Sequence, residues 1–222
     1  MVQYIFNCLF MPAVIILAAC NNQPTQQTAP RQTNNEVVVG GGCDGCELMY
    51  VGIPAMINSV DTSAGWGEEG QPLLVTGKVV KADQKTPAPD IILYYWQTDN
   101  NGYYSPQPGI DEKAKKHGHI RGWVKTDSLG NFSIYTIRPA PYPDGTMPAH
   151  IHISVKEPDI SNEYYIDDWV FDDDPILTSE QRKALPQRGG SGILKPYYQG
   201  KILVAVDTIV LGLNIPGYPV EK

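Results

Sequence analysis

The stretch that decides the fold reads Pro148-Ala149-His150-Ile151-His152-Ile153-Ser154-Val155. Apolar and polar residues alternate along it, as in a β-strand whose successive side chains point to opposite faces. Ile151, Ile153 and Val155 would share the face that packs on a core. His150 and His152 would share the other face, where two imidazoles can reach one metal ion. Two strand histidines that are only hydrogen-bonded would give the same pattern. Other residues must therefore decide between a metal site and a structural role.

Short β-prone runs separated by turn signals surround this strand. The runs cover residues 74–80, 91–96, 122–126, 131–135, 149–155 and 202–213. Residues 127–130, Asp-Ser-Leu-Gly, predict a hairpin between the third and fourth runs. Only residues 179–185 look helical, with Ser179 as the candidate cap. Many short strands with little helix predict an all-β, antiparallel β-sandwich.

The chain has 222 residues, enough for one domain with an extension. Its net charge of −7 argues against nucleic acid as a partner, because neutralising phosphates requires basic patches. Thirteen tyrosines stand against four phenylalanines. A buried tyrosine must find a partner for its hydroxyl, so some of these side chains are candidates for polar roles.

The N-terminal segment is typical of export. Residues 9–19 form an apolar run too short to span a bilayer, and the run ends in Leu17-Ala18-Ala19-Cys20. That ending resembles the lipobox of bacterial lipoproteins, in which the cysteine is lipidated and the preceding peptide removed. The resemblance implies a signal peptide over 1–19, a lipidated Cys20 and a place in the bacterial cell envelope, with a lipid anchor as the only membrane contact. Residues 1–19 lack the usual Lys or Arg, so an ordinary secretory peptide cut elsewhere is the alternative.

Residues 20–42 are polar and poor in large apolar side chains, which predicts a flexible tether before a domain over 43–222. Cys43 and Cys46 open that domain as a CxxC pair. In an exported protein such a pair favours a small disulfide loop. Half of a zinc site and a redox motif are the alternatives.

Tyrosines near the histidine pair strengthen the metal interpretation. Tyr142 lies in Pro139-Ala140-Pro141-Tyr142-Pro143, where the prolines restrict the backbone and can aim the phenol at a fixed point. A second tyrosine, Tyr103 or Tyr104, follows an Asn-Asn-Gly turn signal.

These motifs together resemble the intradiol ring-cleavage dioxygenases, a family that includes protocatechuate 3,4-dioxygenase and catechol 1,2-dioxygenase. The resemblance covers about residues 73–215. It rests on Trp96-Gln97-Thr98-Asp99-Asn100-Asn101-Gly102-Tyr103-Tyr104, on Thr136-Ile137-Arg138-Pro139-Ala140-Pro141-Tyr142-Pro143 and on Pro148-Ala149-His150-Ile151-His152.

The resemblance implies a β-sandwich that binds non-haem Fe(III) through two tyrosinates and two histidines. The ligands would be Tyr104, with Tyr103 as its rival, Tyr142, His150 and His152. The substrates would be a catechol-type aromatic diol and O2, and Tyr142 would accept a substrate proton. Members of the family often assemble, which leaves a homo-oligomer open.

Two positions depart from the family pattern. Met147 stands where the family has an arginine that stabilises negative charge on the substrate ring. Asp168 stands where the family usually has glutamine. Arg121 and Arg138 are the candidate catalytic residues that could supply the missing positive charge.

Three other interpretations remain open from the sequence. The second HxH, His117 and His119, predicts a solvated or substrate-gating loop, with a second metal site as the alternative. The whole domain could be a non-catalytic, transthyretin-like binding sandwich. It could also be a zinc hydrolase that uses His150, His152 and a carboxylate such as Asp168.

Overall fold

Two β-sheets packed on a shared core make up the part of the chain that the computed structural model describes, residues 38–42 and 45–219. The strands are β1 Val60–Thr62, β2 Pro72–Val80, β3 Ile92–Gln97, β4 Arg121–Lys125, β5 Asn131–Ile137, β6 His150–Lys156, β7 Tyr164–Tyr165, β8 Trp169–Phe171, β9 Ile193–Leu194, β10 Tyr197–Gln199 and β11 Ile202–Val210. The described helices are α1 Ser179–Ala184 and the short 3-10 helices Cys46–Tyr50, Ala64–Gly67 and Glu112–His117. The predicted all-β sandwich with little helix is confirmed.

The first sheet has the strand order β1-β5-β2-β11-β10, and the second has β4-β3-β6-β8-β9 with β7 beside β6. Most described pairings are antiparallel, but β1 with β5, β2 with β11 and β8 with β9 are parallel. The predicted hairpin across residues 127–130 is wrong. The tight turn forms, with Gly130 N donating to Asp127 O at 2.9 Å. However, β4 pairs with β3 in the second sheet and β5 pairs with β2 in the first, so this turn carries the chain between sheets.

Strand β6 has the predicted alternation. Its residues Ile151, Ile153 and Val155 are fully buried in the core between the sheets. Leu93 and Tyr95 of the neighbouring β3 point into the same core. The remaining residues of both strands therefore project from the outer face of the second sheet.

That outer face carries a layer of aromatic side chains. Tyr94 and Trp96 of β3 pack there with Met49 of the 3-10 helix Cys46–Tyr50. Trp96 lies opposite His152 in the pairing of β3 with β6, and their rings stack with centroids 4.8 Å apart. The imidazole of His152 is therefore held against a rigid aromatic surface.

The predicted solvated position of His117 is wrong. Its side chain is 5% exposed, and its ring stacks on Trp96 with centroids 4.1 Å apart. Its Nδ1 lies 2.9 Å from the hydroxyl of Tyr94. Burial, followed by the nearby charges of His152 and Lys116, lowers the pKa of His117 to about 3. The ring is therefore a neutral, packed component of the aromatic layer.

Helix α1 begins at the predicted residue, but its cap is Thr178 and not Ser179. The Thr178 hydroxyl accepts from Gln181 N at 3.1 Å, and the Gln181 side chain accepts from Thr178 N at 2.8 Å. This reciprocal pair is a capping box, which the sequence shows once the cap is moved back by one residue.

Several N-terminal predictions lie outside the described residues: the signal peptide 1–19, Cys20, most of the tether 20–42, and Cys43. The last residues of that segment are described and pack on the domain, since Val39 is buried and Gly40 N donates to Pro216 O at 2.7 Å. Cys46 is disulfide-bonded, and its pairing with Cys43 stays a prediction. Among residues 38–42 and 45–219, no helix has the length and apolar character needed to cross a membrane.

The substitution His117→Asn should remove a pH-dependent part of the stability. The folded state keeps the ring neutral down to about pH 3, whereas the unfolded chain protonates it below about pH 6.5. The wild type therefore holds this stability in full above about pH 6.5 and loses it as the pH falls toward 3, at about 1 kcal/mol per pH unit. Urea unfolding of both proteins at pH 7.5 and 5.5 should show the wild type losing about 1 kcal/mol more. Equal losses in the two proteins would contradict a buried, neutral ring.

Candidate metal centre

Both histidines of β6 are oriented by hydrogen bonds on the ring nitrogen that points away from the site. His150 Nδ1 donates to Pro148 O at 2.7 Å, and His152 Nδ1 donates to the Asp168 carboxylate at 2.8 Å. A carbonyl or carboxylate oxygen only accepts, so the ring proton lies on Nδ1 in each case. In the neutral ring, Nε2 then has a free lone pair, which is the form in which histidine binds metals.

Two phenols meet these lone pairs. The hydroxyl of Tyr104 lies 2.7 Å from His152 Nε2 and 2.9 Å from the hydroxyl of Tyr142. The Tyr142 hydroxyl lies 3.2 Å from His150 Nε2. The structure therefore brings all four predicted ligand side chains together. The rival Tyr103 is 57% exposed and lies outside this cluster.

Hydrogen bonds between two loops place the tyrosines. The loop that carries Tyr104 is joined to the proline-rich loop that carries Tyr142, because Thr98 Oγ1 donates to Ala140 O at 2.7 Å and Ala140 N donates to Asp99 O at 3.1 Å. Gly102 has φ +83°, and a Cβ there would lie 2.2 Å from Pro141 O. Glycine is therefore required where the two loops touch.

Asp99 organises the loop before Tyr104, a role that we did not predict from the sequence. Its carboxylate accepts from Asn101 N at 2.8 Å, from Tyr103 N at 3.1 Å and from Ser105 Oγ at 2.6 Å. Burial alone would raise the pKa of Asp99, but these hydrogen bonds outweigh it and lower the pKa. The Asp-Asn-Asn-Gly run was the available signal, because an Asp side chain often accepts from backbone N–H groups just after it.

In the absence of a cation, the electrostatics favour the neutral forms of His150 and Tyr104. Burial, and then the proximity of His152, lowers the pKa of His150. Burial, and then the hydrogen bond with Tyr142, raises the pKa of Tyr104. A cation would have to displace the phenol protons, as metal binding commonly does. Two anionic oxygens with two imidazoles form a donor set that suits Fe(III), because they offset much of its charge.

Asp168 contacts one ligand of this donor set, His152, on the side of the ring that faces away from the phenols. It accepts from His152 Nδ1 and from the hydroxyl of Tyr165. In the described residues, His150, His152 and Asp168 are also the one group of three His, Cys, Asp or Glu side chains close enough to share an ion, with ligand atoms within 4.8 Å of one another. Because Asp168 bonds the nitrogen of His152 that faces away from the phenols, it holds the ring for a metal on the other side.

A cavity of about 390 Å³ opens beside the cluster. Its lining residues are Gly42, Trp96, Tyr104, Lys116, His117, Tyr142, His152, Tyr165 and Arg188. A second cavity of about 380 Å³ borders His150 and shares Tyr165 and Arg188 with the first. Met147 lines this second cavity, which is largely apolar, and not the first.

The expectation for the two arginines is corrected by the structure. Arg121 donates to the Tyr94 hydroxyl at 3.1 Å and to Val51 O at 2.6 Å. Arg138 forms a two-pronged pair with Asp173, both distances being 2.8 Å. Neither borders either cavity, so neither replaces the cation absent at position 147. Arg188, which borders both, was missed because it follows α1, far along the chain from the motifs.

The second HxH does not form a metal pair within the described part of the chain. His117 is packed on Trp96, as described above. The Nε2 of His119 lies 2.7 Å from Glu68 Oε1, and its Nδ1 contacts Ser105 O. Each imidazole therefore has its own structural partners, and His119 is half-buried instead of solvated.

Comparison with known proteins agrees with this geometry. The model of the dioxygenase family matches residues 54–189. The chlorocatechol 1,2-dioxygenase of Pseudomonas putida is 29% identical over 128 residues, which are 48% of this chain and 47% of that protein. The hydroxyquinol 1,2-dioxygenase of Nocardioides simplex is 31% identical over 77 residues, which are 35% of this chain and 24% of that protein. This chain thus spans about half the length, or less, of the curated relatives named here.

A solved structure gives the same result for the fold. The dioxygenase domain of a dioxygenase–carbohydrate-binding protein fusion from Streptomyces sp. SirexAA-E superposes with a TM-score of 0.53 at 23% identity, covering 70% of this chain and 87% of that one. The family match extends over more than half of the chain and includes all four residues of the tyrosine–histidine cluster. The protein therefore belongs to the dioxygenase family, among proteins of the intradiol ring-cleavage type.

Proposed function

We propose that the protein is an Fe(III)-dependent dioxygenase that cleaves a catechol-type ring between its two hydroxylated carbons. One observation carries this proposal: the hydroxyls of Tyr104 and Tyr142 and the Nε2 atoms of His150 and His152 form a continuous cluster at 2.7–3.2 Å. The relatives support the same class, since those named above are dioxygenases of aromatic diols according to their names.

Bound Fe(III) would orient the two hydroxyls of the diol and make its ring reactive toward O2. The products follow from the balance of atoms: both oxygen atoms of O2 enter the molecule, the carbon–carbon bond between the hydroxylated carbons breaks, and a muconate-type diacid results. The diol supplies the electrons, so no further reductant is required.

The chain's own residues would hold the diol and move its protons. The flat side chains of Trp96 and Tyr165 line the cavity and suit the faces of an aromatic ring. Tyr142 is placed to accept a proton from a diol hydroxyl. It is half-buried and precedes residues 143–147, all of them exposed. Tyr104 is fixed by the loop that Asp99 organises, and it would stay in place.

A second candidate function has its own support, because His150, His152 and Asp168 could hold zinc for hydrolysis. That arrangement would require Asp168 to leave Nδ1 of His152 and would give the two phenols no part in binding the metal. The metal content of the purified protein and its colour separate the two candidates, since only iron–tyrosinate absorbs strongly in the visible region.

Paired tyrosine variants test the proposed function. Iron-loaded wild type should be red-brown and should consume one O2 for each catechol that it converts to the diacid. Tyr104→Phe should weaken and shift the visible band and slow O2 uptake by about a hundredfold or more, because it removes a ligand from the metal. Tyr103→Phe is the matched control, and it should behave like the wild type because that side chain lies outside the cluster. The proposal fails if purified protein is colourless, cannot be loaded with iron, and leaves every catechol tested intact.

We propose further that Cys20 anchors the mature protein in the bacterial cell envelope. This rests on the lipobox-like Leu17-Ala18-Ala19-Cys20 alone. Cys20→Ser should block incorporation of labelled fatty acid and leave an unprocessed precursor, since the thiol is the site of lipidation. Normal maturation of that variant would exclude the lipid anchor and favour an ordinary secretory peptide.

A further inference from the structure

Asp168 and Tyr165 form a hydrogen-bonded pair behind one ligand of the tyrosine–histidine cluster. The Tyr165 hydroxyl donates to Asp168 Oδ1, and the same oxygen accepts from His152 Nδ1 at 2.8 Å. The Tyr165 hydroxyl also contacts His152 Nδ1. All three side chains are half-buried, so water screens these contacts only in part. The imidazole of His152 is therefore connected to a carboxylate whose charge is shared between two donors.

The negative charge of Asp168 also acts on two other members of the cluster. Burial and the nearby His152 lower the pKa of His150, whereas Asp168 acts on that pKa in the opposite direction. Burial, and then Tyr142, raise the pKa of Tyr104, and Asp168 adds to this effect. Both effects have the sign expected of a carboxylate, which stabilises a nearby positive charge and destabilises a nearby negative one. Asp168 would therefore stabilise a cation in the cluster through space as well as through His152.

Asp168 departs from the family pattern, in which glutamine is usual at this position. A neutral amide can also accept from an imidazole N–H, but it brings no charge to the site. A carboxylate bonded to the outer nitrogen makes a histidine a more basic ligand. A more basic ligand and a nearby anion both favour Fe(III) over Fe(II), because the ferric ion carries the larger charge. The difference from the family pattern therefore lies in the charge behind His152.

We propose that Asp168 is a positioning residue that acts through His152 to favour the ferric state of the bound iron, and that Tyr165 moderates this effect. The inference rests on the proposed function, because it requires iron in the cluster. It goes beyond that function by assigning roles to two residues outside the four ligands. The Tyr165 hydroxyl offsets part of the carboxylate charge by donating to it, so less of that charge acts on His152. The two side chains therefore act on the iron in opposite directions.

Two conservative variants test the pair through the ferric–ferrous midpoint potential of the iron-loaded protein, followed by the loss of the visible band on reduction. Asp168→Asn can still accept from His152 Nδ1 but loses the charge. It should lower the preference for Fe(III) over Fe(II) about tenfold to a hundredfold, which raises the potential by about 60 to 120 mV. Tyr165→Phe should lower the potential and increase the same preference about twofold to tenfold, because the whole carboxylate charge is then left to His152.

Glu163→Gln is the matched control, because it removes the same charge from another tyrosine–carboxylate pair. Glu163 accepts from the hydroxyl of Tyr50 at 2.8 Å and lines neither cavity beside the cluster. This variant should keep the wild-type potential. A merely structural role of Asp168 and Tyr165 would not move the potential in opposite directions.

The outcomes separate this inference from the proposed function. If Asp168→Asn and Tyr165→Phe shift the potential in the same direction, or neither moves it beyond the control, the inference is refuted while the proposed function stands. If folded Asp168→Asn no longer binds iron although Tyr104→Phe still does, Asp168 is itself a ligand and the inference is again refuted. If the wild type takes up no iron, the inference is refuted together with the proposed function.

Discussion

The register between β3 and β6 is the constraint on which the site depends. It sets Trp96 opposite His152 on the outer face while Ile151, Ile153 and Val155 enter the core. A slip of one residue would turn both histidines into the core and the aliphatic side chains out of it. Burying those three side chains contributes roughly 1.5–3 kcal/mol each, which together is a large part of a typical folding free energy of about 5–15 kcal/mol. Packing of the core therefore determines which way the imidazoles face.

Local patterns were sufficient to predict the class of fold and the strand that carries the histidines. The alternation along β6 is a property of consecutive residues, so it could be read directly from them. Which strand pairs with which is decided by long-range packing, and this is why the turn after β4 was mistaken for a hairpin. It joins two strands, as predicted, but the partner of each strand lies elsewhere in the chain. The parallel strand pairings and the burial of His117 within the aromatic layer are also decided by long-range packing.

At the site, the motifs predicted the types of ligand and their order along the chain. They did not predict where the positively charged side chains lie. Tyr104 and Tyr142 meet because two loops, about forty residues apart in sequence, are joined through Thr98, Asp99 and Ala140. Resemblance to a family anticipated this meeting, but no local rule would have done so. A long charged side chain reveals little of its partner in the sequence, and so Arg121 and Arg138 were the candidates for the missing positive charge. Only the fold shows that both are engaged elsewhere.

The site thus consists of a scaffold, in which β6 presents two imidazoles, and a pair of loops that bring two phenols to them. We propose that one ferric ion binds where these four side chains meet. Anomalous diffraction at the iron absorption edge, from crystals of the iron-loaded protein, tests this most directly. We expect a single iron peak within bonding distance of the hydroxyl oxygens of Tyr104 and Tyr142 and of Nε2 in His150 and His152. A metal bound by Asp168 and the histidines with both phenols turned away, or no peak among the four side chains, would contradict it.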